Sequence, residues 1–130
     1  MTYFTDLTPY HYGLPEPEPD VLNIGWLDVA YPFSRGLTSS EFREALSRLV
    51  ERPILLHRGF HVCDFCPRDR RDNYPSRGNG QIRVLGRNGI WYAAPTMVHH
   101  YVVAHEYQPP PEFVDAVLNP VAVGKDDNAR

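Results

Sequence analysis

The feature that most constrains this chain is the stretch RGFHVCDFC, residues 58–66, which holds its only two cysteines, Cys63 and Cys66. A histidine pair follows at His100 and His105, so the full pattern reads C-x2-C-x33-H-x4-H. A lone C-x-x-C serves three chemistries: a redox dithiol, a disulfide, or half of a metal site. A redox dithiol wants its first thiol at a helix N-terminus, where the helix dipole lowers the pKa. Here Pro67 and a charged, turn-rich run, PRDRRDNYPSRGNG, follow Cys66 and offer no helix. A disulfide between cysteines so close together closes a very small loop and stabilises little. The opening residues, MTYFTDLTPYHYG, carry neither a basic nor an apolar leader region, so a cytoplasmic location is expected, where thiols stay reduced.

A metal site suits the pattern best. Zn²⁺ takes four soft or borderline ligands in a tetrahedron. The C-x2-C turn supplies two thiolates on one side, and the histidine pair closes the other. Two thiolates also neutralise the dication, so the centre can be buried without leftover charge. The expected ligands are therefore Cys63, Cys66, His100 and His105 around Zn²⁺. His61 is held as an alternative ligand or a hydrogen-bonded neighbour, because H-x-C-x-x-C can also bind three-pronged. His99 points away from this set. The spacing poses a difficulty: on an ideal helix His100 and His105 lie about 140° apart. The turn between them has to loosen, near Ala104, for one ion to reach both.

The flanking sequence predicts one α+β domain with a treble-clef-like unit, in the order knuckle, hairpin, helix. At 130 residues the chain suits a single modest core. Residues 1–20, rich in Pro and Tyr and closing on PEPEPD, read as an extended arm rather than a packed element. Residues 21–118 form the domain, and 119–130 a flexible tail. Within the domain, VLNIGWLDVAY (21–31) has strand character interrupted at Gly25, and ILLH (54–57) suits a short strand. Residues 39–53 carry an apolar stripe at Phe42, Ala45, Leu46, Leu49 and Val50, the helical spacing, with Thr38 or Ser39 as cap and Pro53 as stop. QIRVLGRNGIWYAAP (81–95) alternates about an RNG turn and reads as a hairpin. Pro95 suits the start of a helix through TMVHHYVVAHEY, and PPPEFVDAVL (109–118) a last short one.

The same stretches resemble a family of small bacterial proteins of unassigned function. Its pattern runs N-I-G-W-L-D, then G-F-H-x-C-x-F-C, then E-I-R-V, then Y-A-x-P-x-x-I-x-H-Y-V-x-x-H-x-Y-x-P-P-x-E-F. The likeness covers roughly residues 20–118. It implies a shared fold and site, with Cys63, Cys66, His100, His105 and His61 at family positions. His99 is outside the pattern, and Gln81 stands where the pattern carries an acid.

Three functions compete. The first is a protein-interaction module stabilised by structural zinc, since four protein ligands leave no open position. Its partner is another protein or a second copy of the chain. The Pro-rich arm, the PPP run at 109–111 and the aromatics Trp26, Tyr31, Phe33 and Trp91 suit such docking. The second is a zinc hydrolase or nuclease with three ligands and a water, using Glu106, Asp64 or His61 as base. H-E-x-x-H is absent, and no serine has a convincing partner. The third is nucleic-acid binding through Arg68, Arg70, Arg71, Arg77, Arg83 and Arg87, with Tyr74 and Trp91 for stacking. Asp69 and Asp72 dilute that charge, and the chain carries a net −3. There is no apolar run of membrane-spanning length, so no membrane partner is expected.

Overall fold

The apolar stripe of residues 39–53 folds as its spacing predicts, and the rest of the core is built on it. A computed structural model of the chain describes residues 3–10, 16, 18–63, 65, 66 and 77–121. Of residues 18, 19, 55–62 and 77–79 it describes the backbone. Helix α1, Ser40–Val50, is capped by the Ser39 side chain, which accepts from the Phe42 N–H, and carries Glu41 in its first turn. Phe42 and Leu46 are fully buried, and Ala45, Leu49 and Val50 pack beside them.

Five strands form one mixed sheet in the order β1-β2-β5-β4-β3. They are β1 Pro9–Tyr10, β2 Glu18–Asn23, β3 Leu55–Val62, β4 Arg77–Leu85 and β5 Trp91–Pro95. β4 and β5 make the expected hairpin, with Ile82 opposite Ala94 and Val84 opposite Tyr92. Its turn closes with the Gly86 N–H on the Ile90 carbonyl, and Gly89 takes the positive φ of 83° that the tight return requires. β2 runs parallel to β5, while the other pairs are antiparallel.

Alternation along β4 and β5 divides the core in two. Ile82, Val84, Tyr92 and Ala94 face α1, α2 (Val98–His105) and α3 (Pro111–Leu118). Trp26, Tyr10, Val21 and Ala93 form a second cluster, against which Phe4 and Trp91 pack. Both faces of β5 are thus covered, which is why WYAAP is almost wholly buried.

Several expectations need correction. Residues 3–10 are extended but packed: Tyr10 is buried, and the Phe4 ring meets Trp26 edge-on at 5.6 Å. Trp26 is 1% exposed and donates its indole N–H to the Ala93 carbonyl, so it belongs to the core and not to a docking surface. Only Tyr31 among the aromatics assigned to that surface is exposed, at 50%, and its ring stacks on Tyr3 at 4.1 Å, while Phe33 and Trp91 are half-buried. The strand foreseen at 54–57 runs on to Val62 and delivers Cys63 at its end. Pro95 ends β5 instead of opening the helix, which starts at Val98. The predicted loop 67–80 gives up residues 77–80 to β4. Residues 67–76 and the tail from 122 lie outside the described residues.

Candidate metal centre

Two elements carry the four sulfur and nitrogen donors. β3 ends at Val62, and the chain turns through Cys63 and Cys66. The Cys63 sulfur accepts the backbone N–H groups of Phe65 and Cys66, the arrangement that folds a C-x2-C into a knuckle. Helix α2 brings His100 in its first turn and His105 as its last residue. The order knuckle, hairpin, helix is therefore the one expected.

Gly25 sets where α2 sits. Its φ is +74°, and a Cβ there would stand 2.8 Å from Cγ2 of Val98, the first residue of the helix. The chain leaving β2 can touch the start of α2 only because this residue has no side chain. Asp6 reinforces the junction. One carboxylate oxygen accepts from the Gly25 N–H at 2.9 Å and the other from the buried Tyr107 hydroxyl at 2.6 Å. Burial pushes the Asp6 carboxyl up, and its two hydrogen bonds offset part of that. Burial, with the Asp6 charge beside it, likewise pushes the Tyr107 hydroxyl up.

The histidine spacing is resolved at the end of α2. The Tyr101 carbonyl accepts from the N–H of Glu106 and from that of Tyr107, five and six residues on, where a regular turn would use the fourth. A turn closed at i→i+5 holds more residues than an α turn and cuts the angle between positions five apart. The two imidazoles consequently meet, with ring centroids 5.0 Å apart and planes at 76°. Glu106 takes the left-handed conformation that ends the helix, φ 56° and ψ 28°.

The resulting cluster is compact. Donor atoms of Cys63, Cys66, His100 and His105 all lie within 4.8 Å of one another. The Cys63 sulfur is 3.4 Å from Nε2 of His105, and the Cys66 sulfur is 3.3 Å from Nε2 of His100 and 3.5 Å from that of His105. Bond lengths of about 2.3 Å to sulfur and 2.0 Å to nitrogen put these atoms about 3.5 Å apart in a tetrahedron. The donor set and its spacing therefore fit a single metal ion. Cys63 is 3% exposed and the other three are half-buried.

Protonation follows burial. The Cys63 thiol is pushed up to about 11, chiefly by desolvation. That is the reverse of what a redox thiol needs and leaves a proton for a metal to displace. Desolvation, with the neighbouring His105 and His99, lowers the His100 imidazole to about 4. His105 is lowered by burial first and by Arg35 second. Both rings are neutral at pH 7, the form in which imidazole binds metal.

An aromatic wall surrounds the cluster. Phe65, between the cysteines, packs on His105 at 5.4 Å and on Tyr101 at 5.8 Å, and Phe33 meets Phe65 at 5.3 Å. Arg35 lies over Phe33 and donates to the His105 carbonyl at 3.2 Å. Sequence reasoning missed these supports. Phe65 had a signal, an aromatic inside the knuckle; Arg35, 70 residues from its acceptor, had none.

Other candidate residues fall elsewhere. His99 is half-buried and outside the cluster. The His61 backbone is in β3, and its side chain lies outside the described residues, as does Asp64. Glu106 is exposed, and among the described residues no carboxylate joins the cluster. Arg68, Arg70 and Arg71 also lie outside the described residues, and of Arg77 only the backbone is described. Arg83 and Arg87, from the same proposed basic patch, are engaged: Arg83 lies over the Tyr10 ring, and Arg87 grips both oxygens of Asp115. Among the described residues no helix is long and apolar enough to cross a membrane.

No curated protein and no solved structure matches this chain. A family model does, across residues 2–118, and the chain belongs to that family, described as a domain of unknown function, DUF7919.

Proposed function

We propose that Cys63, Cys66, His100 and His105 bind one Zn²⁺ that is structural, in a small protein that acts by binding another protein or its own copy. The observation carrying this reading is the convergence of all four donor atoms within 4.8 Å, at sulfur–nitrogen separations of 3.3 to 3.5 Å. Two thiolates and two neutral imidazoles are a donor set that zinc favours, and their charge cancels that of the ion. With four protein ligands the ion has no place for substrate or water, which argues against hydrolysis at this centre. Instead the ion ties the end of β3 to α2. A reducing compartment such as the cytoplasm keeps both thiols available.

Elemental analysis of protein purified without added metal, with X-ray absorption at the zinc edge, tests the reading. One zinc per chain with two sulfur and two nitrogen neighbours is expected. His100→Ala should lose the stoichiometric ion and His99→Ala should keep it. A sulfur-poor shell that includes a water oxygen returns the site to a hydrolytic reading. Loss of the ion in His61→Ala but not in His100→Ala moves the fourth ligand to His61.

A further inference from the structure

A second surface feature is built from residues other than the four of the metal centre. An open groove of about 860 Å³ runs between the N-terminal segment, the loop 34–39 and α3. Its apolar lining includes Leu7, Leu37, Val114 and Leu118. Leu37 is 84% exposed, and Leu7 and Leu118 are also exposed. Single exposed leucines are ordinary, but three around one groove form a patch of the kind that marks an interaction surface. One wall is the run Pro109–Pro111, whose fixed φ angles mean that little backbone freedom is lost when a partner docks.

The charge on the rim narrows the occupant. Asp6, Glu112 and Asp115 line the groove, and among the described residues no lysine, arginine or histidine does. Asp6 is held by Gly25 and Tyr107, and Asp115 by Arg87. Glu112, exposed in the first turn of α3, has no ion pair among the described residues. An apolar floor beside acidic groups complements a segment that offers leucine-like anchors and lysine or arginine together. An enclosed pocket would suit a small molecule, whereas a groove with a leucine on its lip needs a longer ligand to cover it.

We infer that this groove docks a basic amphipathic segment of a partner protein. The inference rests on the interaction-module reading and names the surface and the partner chemistry. The segment's apolar side chains cover Leu7, Leu37 and Leu118, and a cation of the segment faces Glu112. The metal centre takes no part in the contact.

Two fluorescent peptides of about 15 residues, or four helical turns, test this against the metal-loaded protein. One alternates leucine and lysine at helical spacing, and the other carries glutamate in place of lysine. The lysine peptide should bind and the glutamate peptide should not. Leu37→Asp should weaken binding about tenfold or more, because it puts a charge where the segment's apolar side chains pack. Glu112→Lys should weaken it about threefold to tenfold and reduce its salt dependence. Leu37 is exposed, so the fold should tolerate its replacement, and zinc content measured on the same samples verifies this. Equal binding of both peptides, or binding indifferent to both substitutions, overturns the inference. So does self-association abolished by Leu37→Asp, which assigns the groove to a second copy of the chain. A zinc-loaded protein that binds a partner protein undiminished by Leu37→Asp also overturns it and leaves the interaction-module reading standing. Protein without zinc that binds the lysine peptide as expected supports the groove and removes the zinc reading.

Discussion

Gly25 concentrates two demands in one residue. It needs a left-handed backbone, and a Cβ there would collide with Val98. Gly25→Ala should destabilise the fold by about 2–4 kcal/mol, combining backbone strain with overpacking. Chemical denaturation of the metal-loaded protein measures this. A loss within a few tenths would mean that α2 can move away freely. Cys63 makes a second demand, on protons. Its thiol, raised to about 11, holds its proton at pH 7, and a bound metal must displace it. Apparent zinc affinity should then rise about tenfold per pH unit for each proton released. The His100 imidazole, lowered to about 4, adds no competing proton until the solution is strongly acid. Calorimetric titrations in buffers of different ionisation enthalpy count the protons, and zinc binding without release would remove Cys63 from the ligand set.

Elements differ in how much of themselves the sequence discloses. Helix α1 was legible because its stripe, its Ser39 cap and its acidic first turn all point the same way. The hairpin was legible from its alternation and its RNG turn. β3 was seen only as far as His57, because RGFHV does not alternate and its pairing with β4 shifts register between Leu56 and His61. The parallel pairing of β2 with β5 is non-local and has no short-range signature. In α2 the candidate ligands His100 and His105 could be read from residue type and order, but the wide final turn that brings them together is a backbone hydrogen-bond choice that no side chain announces. That turn ends on Glu106 in a left-handed conformation, which costs a non-glycine residue about 1–2 kcal/mol. Glu106→Gly should therefore raise stability, by about 0.5–1 kcal/mol once the extra freedom of the unfolded glycine is subtracted. A shifted midpoint in denaturant with unchanged slope checks it, and a loss of stability would show that the Glu106 side chain matters to the fold.

Across the whole molecule, the centre joins two stations far apart in the chain. Closing a loop of roughly 40 residues, as a metal bound by both Cys63 and His105 would, stabilises by about 4 kcal/mol on chain-entropy grounds. Chelation should lower the melting temperature by about 10 °C or more at this chain size. An unchanged melting curve after verified metal removal would refute a structural role. The packing of residues 3–10 was the least legible feature at this scale. Tyr10 meets Gln81, and Asp6 meets Tyr107 across 101 positions, in a segment whose prolines and tyrosines read locally as linker.

The separation of Cys66 from His100 also governs the sequence of events in time. The 33 residues between them include both strands of the hairpin and the turn that joins them. An unfolded chain offers an ion its local groups first, the thiol pair with His61 beside it, within the nanoseconds in which short loops close. The imidazoles arrive later, once the hairpin has formed, in about 1–10 μs, and α2 has docked on the sheet. Early capture is thus weak and reversible, and tight capture has to wait for the sheet. A chain that met the proposed ion while still unfolded would let it go again; one that had built its sheet would hold it.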